Sequence, residues 1–149
     1  MLKALVGLTI PFVLATASAE ERVDPHHVYR LDFVVSEGEV GKAPVSTAYT
    51  LNLEEHRTGE IKVGTNVPLA GQRADVGVTV RASYTRIGDD LLIDDEVEII
   101  AMKDAQSVRK MFTKGNTVVT EGKAALIASV DDAVNRKHYQ VTVKPTRLR

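Results

Sequence analysis

Cysteine and tryptophan are both absent from the chain, and only seven of its 149 residues are aromatic. Without cysteine there is no disulfide framework, no thiol nucleophile and no thiol for lipid attachment, so the fold has to rest on hydrophobic packing. Without tryptophan and with so few other aromatic rings, a stacking platform for sugars is hard to build. These absences disfavour a lipoprotein, a cysteine-dependent enzyme and a glycoside hydrolase.

An excess of charge of one sign is also lacking. The 19 lysine and arginine side chains nearly balance the 20 aspartates and glutamates, for a net charge of −1. Proteins that bind nucleic acid usually carry a basic excess on one face, so no nucleic-acid partner is expected. The basic segments 136–138 and 144–149 are interpreted as a solvated turn and a solvated tail.

The N-terminal segment 1–19 has the pattern of a cleavable signal peptide. Lys3 precedes an apolar run over residues 4–14, and small residues at 17–19 end the segment. The apolar run is shorter than the roughly 20 residues that a membrane-spanning helix needs. We therefore predict a signal helix cleaved between Ala19 and Glu20, export to the periplasm or the cell exterior, and no stable membrane span in the mature chain.

Residues 20–27 lack periodicity and are predicted to be a flexible lead-in, followed by a single β-domain over residues 28–149. Within this domain apolar and polar residues alternate with a period of two, which is typical of half-buried strands. Strands are predicted over residues 28–36, 45–54, 59–65, 74–87, 91–101, 116–121, 123–130 and 137–144, with 108–112 as a further candidate.

Turn residues separate these segments. Gly88-Asp89-Asp90 and Glu121-Gly122 are each predicted to close a tight hairpin, and Pro68 with Gly71 is predicted to break the chain after the third strand. The fold class is therefore all-β, an antiparallel sandwich or meander of seven to eight strands. A short helix over residues 101–111 is the alternative for that segment.

Nucleophilic catalysis has few candidate residues. No G-x-S-x-G elbow occurs. A triad of a serine with His26, His27, His56 or His138 is still an alternative, because triad residues can be distant in sequence and close in the fold. His26 and His27 point in opposite directions on an extended chain, and the Cys/His spacings of metal sites are absent. We therefore predict solvated histidines at these two positions, no catalytic residue and no cofactor.

An acidic stretch surrounds the central hairpin turn, formed by Asp89, Asp90, Asp94, Asp95, Glu96 and Glu98. Calcium takes six to eight oxygen ligands, yet Asp89 and Asp94 would lie about 16 Å apart on an extended strand. The Cα atoms of Asp94 and Glu96 would lie about 6.6 Å apart on one face of the strand. Two carboxylates at such a distance could serve as the acid and base of glycoside hydrolysis. A solvated or partner-facing sheet surface is predicted, with calcium binding as the alternative.

Asp95 differs from the other acidic residues. The alternation that buries Leu91, Ile93 and Val97 turns Asp95 inward as well, and burial of an unpaired carboxylate is costly. We expect either a β-bulge that re-aims the side chain or a buried cation such as Arg81 that pairs with it.

Three segments within residues 67–130 carry a family resemblance. They are Asp75 to Val80, the turn at Gly88 with the strand Leu91 to Ile99, and Asn116 to Ala128. In this order they resemble the secretin homology region, the C-terminal β-domain of type II and type III secretion and type IV pilus outer-membrane channels. Periplasmic N-terminal modules, gate and lip are not recognisable, and Ala128-Ser129 stands where the family usually has Gly-Gly. The resemblance implies the hairpin fold and association through β-strands, and not the channel activity.

These observations lead to one functional expectation and one alternative. We expect an exported, non-enzymatic β-domain with a protein-interaction or structural role at the cell envelope, linked to a secretin-type secretion system. Its partners would be envelope proteins or further copies of itself. The alternative is a periplasmic small-molecule or calcium-binding module whose site is the acidic hairpin.

Overall fold

The computed structural model describes residues 27–69 and 71–149. The predicted signal peptide, its cleavage site at Ala19 and Glu20, and the lead-in up to His26 lie outside these residues. Within the described residues, no helix is long and apolar enough to cross a membrane.

The described residues form strands joined by turns, in accordance with the all-β prediction. The strands are β1 (Val28–Glu39), β2 (Val45–Glu54), β3 (Gly59–Leu69), β4 (Gln72–Ile87), β5 (Asp90–Asp104), β6 (Ser107–Thr120), β7 (Ala125–Asp132) and β8 (Lys137–Arg147). They build two four-stranded antiparallel sheets with the orders β2-β1-β8-β7 and β3-β4-β5-β6. We call the first the short sheet and the second the long sheet, because β4, β5 and β6 have 14 to 16 residues each.

The hydrophobic core lies between the inner faces of the two sheets. Leu31 and Phe33 from β1 and Tyr84, Leu91 and Ile93 from the long sheet are all completely buried. Each is one of the inward positions that the period-two alternation predicts. Burying a large apolar side chain of this kind contributes roughly 1.5–3 kcal/mol, so the alternation is the main reason why these segments form strands that pack as a sandwich.

The predicted central hairpin is confirmed. β4 ends at Ile87 and β5 begins at Asp90, which leaves Gly88 and Asp89 as the two turn residues. Gly88 has a φ of 63°, a conformation that glycine adopts without the steric cost it has for other residues. The two strands continue in register from this turn, with Arg86 opposite Leu91.

The predicted hairpin at Glu121-Gly122 is wrong. β6 pairs with β5 in the long sheet, whereas β7 pairs with β8 in the short sheet, so this segment carries the chain from one sheet to the other. The Gly122 amide donates a hydrogen bond of 2.8 Å to the carbonyl of Pro145 on β8. Local turn residues are the same for a hairpin and for such a crossover, so the sequence pattern does not distinguish them.

The alternative helix over residues 101–111 is also wrong. β5 extends to Asp104 and β6 begins at Ser107, and the Asp104 carboxylate accepts hydrogen bonds from the Gln106 amide at 2.8 Å and the Ser107 hydroxyl at 2.7 Å. The candidate strand 108–112 and the predicted strand 116–121 belong to one strand, β6.

Pro68 does not break the third strand, which runs to Leu69. β3 lies at the edge of the long sheet. A proline is tolerated there because an edge strand has one side on which no ladder hydrogen bond is needed.

A partly buried ion pair connects the two sheets at the end of β7. The Asp132 side chain is completely buried, and its Oδ1 accepts a 2.8 Å hydrogen bond from Arg109 on β6. The Asn135 side-chain amide donates to Asp132 Oδ2 at 2.8 Å and to the Met102 carbonyl on β5 at 3.0 Å. Burial alone would raise the pKa of Asp132, but the hydrogen bonds from Asn135 and the charge of Arg109 outweigh it and lower this pKa.

We expect Asp132→Ala to lower the free energy of unfolding by about 2 kcal/mol, since it leaves the donors of Arg109 and Asn135 without their acceptor. A lowered folded-state pKa contributes stability above the unfolded-state value and loses it as the pH falls. The difference in unfolding free energy between the parent protein and Asp132→Ala should therefore be largest at pH 7 and decrease below about pH 4. Urea denaturation across this pH range measures it. The matched control is Asp131→Ala, whose side chain is 83% exposed, and an equal loss there would contradict the assignment.

Candidate functional site

The outer face of the long sheet carries charges in a regular row. Glu60 on β3, Arg81 on β4, Glu96 on β5 and Lys114 on β6 face one another in register across the sheet. We call these residues the charge row. Their signs alternate, so each charge has an opposite neighbour on the adjacent strand.

The members of the charge row are paired within the sheet. Arg81 donates to Glu60, and Lys114 Nζ lies 2.6 Å from Glu96 Oε1. The hydrogen bond with Glu60 raises the pKa of Arg81, and the hydrogen bond from Lys114 lowers the pKa of Glu96. Solvent-accessible pairs of this kind contribute little to stability, so the row mainly orders the surface.

The charge row ends in opposite charges at two strand edges that pair with no other strand of the described residues. β3 and β6 are the edge strands of the long sheet, each with hydrogen-bonded neighbours on one side only. Glu60 therefore lies at one edge and Lys114 at the other. Because the sheet has four antiparallel strands, β3 and β6 run in opposite directions, and β6 of one copy meets β3 of another in the antiparallel sense.

The acidic stretch is divided between the turn and both faces of β5. Asp89 lies in the turn, while Asp94, Glu96 and Glu98 alternate with the buried residues of the strand. Glu98 is paired with Lys110 at 2.5 Å. Across residues 27–69 and 71–149, no three histidine, aspartate or glutamate side chains lie close enough to hold a metal ion, so the alternative of calcium binding has no ligand cluster there.

Asp95 points into the core as the alternation predicts, but the predictions of a β-bulge and of a buried pair with Arg81 are both wrong. It lies in regular register between Ala82 and Gly115, without a bulge. Arg81 is on the outer face with Glu60. Within the described residues neither carboxylate oxygen of Asp95 has a hydrogen-bond partner, and the residue is 2% exposed. Burial, with a smaller effect of the Asp94 charge, raises the pKa of Asp95 to about 6.

His27 is buried, so the prediction of a solvated histidine there is wrong. Its backbone carbonyl accepts a 2.5 Å hydrogen bond from the buried Tyr84 hydroxyl, and its ring Nδ1 lies 2.9 Å from Arg147. A buried hydroxyl requires a partner, and the chain just before β1 supplies it. This requirement of Tyr84 is not visible in the local pattern around His27. His26 lies outside the described residues.

Ser129, Asp131 and His138 lie together in the order of a hydrolase triad. His138 Nδ1 is 2.5 Å from Asp131 Oδ1, and its Nε2 is 3.4 Å from Ser129 Oγ. In a working triad the aspartate is buried and holds the imidazole in a protected site. Here the Asp131 side chain is 83% exposed, so the three residues form a polar cluster on the surface of the short sheet.

Comparisons with known proteins find similarity in structure. The chain matches no family model and no curated protein by sequence. It is similar to the type II secretin XcpQ of Pseudomonas aeruginosa, with a TM-score of 0.61, 14% identity and coverage of 85% of this chain and 60% of that one. It is also similar to the Salmonella SPI-1 type III injectisome secretin InvG, with a TM-score of 0.59, 10% identity and coverage of 83% and 65%.

A third similar structure is that of the ETEC pilotin–secretin complex AspS–GspD, with a TM-score of 0.54, 11% identity and coverage of 83% and 49%. The chain thus spans less than two thirds of each of these secretin chains. At these identities the likeness is one of fold. It confirms that the described domain has a secretin-like β-fold, as the three sequence segments indicate.

We expect Asp95→Asn to stabilise the protein at neutral and alkaline pH. A carboxyl whose folded-state pKa is raised to about 6 destabilises the fold above that pH and is neutral below its unfolded-state value, near 4. The gain in unfolding free energy should reach about 3 kcal/mol at pH 8, because the folded-state and unfolded-state pKa values differ by about two units. It should vanish at pH 4. Denaturant titrations at both pH values measure it, with the turn variant Asp89→Asn as the control. An equal gain at the two pH values would contradict this account.

Proposed function

We propose that this chain is an exported, non-enzymatic β-domain that acts through protein contacts at the cell envelope, in a secretin-type secretion system. In this proposal the signal peptide is cleaved between Ala19 and Glu20, and the mature domain lies in the periplasm or is secreted. Its first partner is a second copy of itself, joined edge to edge through β6 and β3. Envelope proteins would then bind the assembled form.

The single observation that carries this proposal is the pair of complementary edges of the long sheet, which pair with no other strand of the described residues. An exposed strand edge is a template for pairing with another chain, and both β3 and β6 have such an edge. Pairing β6 with β3 of the next copy sets Lys114 opposite Glu60 and extends the alternation of the charge row. Opposite charges directly across two strands are favourable, and like charges are unfavourable.

Pairing of β6 with itself in the register centred on Phe112 is disfavoured by the lysines of this strand. An antiparallel β6–β6 pair centred on Phe112 would bring Lys110 opposite Lys114. The favoured contact therefore joins two different edges. Such a heterologous contact leads to a ring when its rotation closes and to a filament when it does not.

The secretin-like fold supports the envelope role. The similar structures are secretins of type II and type III secretion systems, and one of them is a complex with a pilotin. The non-enzymatic part of the proposal is supported by the exposed setting of Asp131 in the cluster of Ser129, Asp131 and His138.

The edge contact is tested by disulfide cross-linking of Glu60→Cys/Lys114→Cys. The chain has no cysteine of its own, and within one copy these positions lie on opposite edges, about 14 Å apart across three strand spacings. A disulfide spans a Cα distance of less than about 7 Å, so only an intermolecular bond can form. We expect a ladder of covalent dimers and larger species on mild oxidation.

The control is Glu60→Cys/Lys110→Cys, which moves one cysteine by about 13 Å along β6 and should cross-link weakly. Equal amounts of cross-linked dimers and larger species from both variants would indicate that the disulfides form through random collision. Because the cysteine variant lacks the Glu60 and Lys114 charges, the parent protein is measured as well: a parent protein that is strictly monomeric at all concentrations, with no cross-linked species from the variant, would overturn the proposal.

We expect Ser129 to be inert toward a fluorophosphonate probe, which labels activated serines. The exposed Asp131 does not hold His138 in a protected site, so Ser129 should keep the low reactivity of an ordinary hydroxyl. Intact-mass measurement after incubation reports labelling, and Ser129→Ala is the control. Stoichiometric labelling of the parent protein that Ser129→Ala abolishes would show that the cluster is an active site.

A further inference from the structure

A notch interrupts the outer face of the long sheet between β3 and β4. Gly64 and Gly77 lie directly opposite each other, so neither strand places a side chain there. A Cβ at Gly64 would lie 2.4 Å from the Val76 carbonyl oxygen, and a Cβ at Gly77 would lie 2.1 Å from that of Val63. Both distances are too short for any side chain, so the notch keeps a floor of bare backbone.

The walls of the notch combine polar and apolar groups. Asp75 accepts a 2.9 Å hydrogen bond from Asn66 and lies 3.6 Å from Lys62. Ile100 on β5 closes the opposite side. Glycine inside a strand often marks a bulge, a tight bend or a close approach of another group to the backbone, and here the backbones of β3 and β4 approach each other closely.

Phe112 is the one exposed aromatic residue of the described chain. It lies on the outer face of β6, and 57% of its surface is exposed. Its neighbours along that face are Lys110 and Lys114, both mostly exposed. Phe112 is therefore an aromatic ring exposed between two lysines on an edge strand.

The charge row fixes where Phe112 lies when two copies pair. If Lys114 faces Glu60 of the next copy, antiparallel pairing sets Phe112 opposite Lys62 and on the diagonal to Gly64 of that copy. Diagonal neighbours in antiparallel strands are about 7–8 Å apart, within reach of an aromatic side chain. Shifting the register by two residues in either direction would set Lys62 against Lys110 or Lys114, which repel it.

We propose that Phe112 of one copy packs into the Gly64–Gly77 notch of the next copy and thereby fixes the register of the edge contact. The ring reaches diagonally over backbone that has no side chain of its own, and its face meets the Lys62 ammonium directly opposite it. This inference rests on the proposed self-association and adds to it the residue that determines how the copies align.

Phe112→Trp provides a direct reporter because the chain contains no tryptophan. We expect its fluorescence emission to shift to shorter wavelength as the protein concentration rises and copies assemble. The matched control is Val118→Trp. Val118 is also 57% exposed on the same face of β6, but in the proposed register it lies beyond the start of β3 at Gly59, so its emission should stay that of a solvated indole.

Alanine variants test whether the contact matters for assembly. Phe112→Ala should weaken self-association in sedimentation velocity by at least about tenfold, as expected for loss of a central aromatic anchor, while Val118→Ala leaves it unchanged. Assembly that proceeds with a solvated indole at 112 and unchanged affinity in Phe112→Ala would overturn the inference and leave the proposed function intact. A protein that stays monomeric in every variant would overturn both.

Discussion

The packing of two apolar sheet faces against each other is the interaction on which the rest of the structure depends. No disulfide contributes, because the chain has no cysteine, so the inner residues such as Phe33 and Tyr84 provide the stabilising contacts. Face-to-face packing requires charged side chains to lie outside, which places the charge row on the outer face of the long sheet. Face packing also leaves the strand edges unpaired, and these edges are where the chain is open to another copy.

Two buried carboxylates, Asp132 and Asp95, interrupt the apolar packing. Asp132 is fully hydrogen-bonded and ties the sheets together through Arg109 and Asn135. Asp95 has no hydrogen-bond partner in the part of the chain that the structure describes. A buried polar group contributes favourably only when its partners are present, so the two residues have opposite effects on stability although both lie within the same core.

The period of two in the sequence predicts the strands and their inward faces, because it directly reflects which side chains enter the core. It predicts the inward direction of Asp95 for the same reason. It does not predict the crossover at Glu121-Gly122, since the sheet that a strand joins depends on contacts with distant β8. The charge row and the notch at Gly64 and Gly77 also depend on the register between strands, which a single strand's pattern does not contain.

The secretin-like fold and the complementary edges lead to one central claim, that copies of this domain join through β3 and β6. Residue-resolved hydrogen–deuterium exchange at low and high protein concentration tests it most directly, because edge amides exchange quickly until a neighbouring strand covers them. The account predicts that protection at β3 and β6 rises with concentration while the edges β2 and β7 of the short sheet stay unchanged. Protection that is independent of concentration, or that rises at β2 and β7 instead, would contradict it.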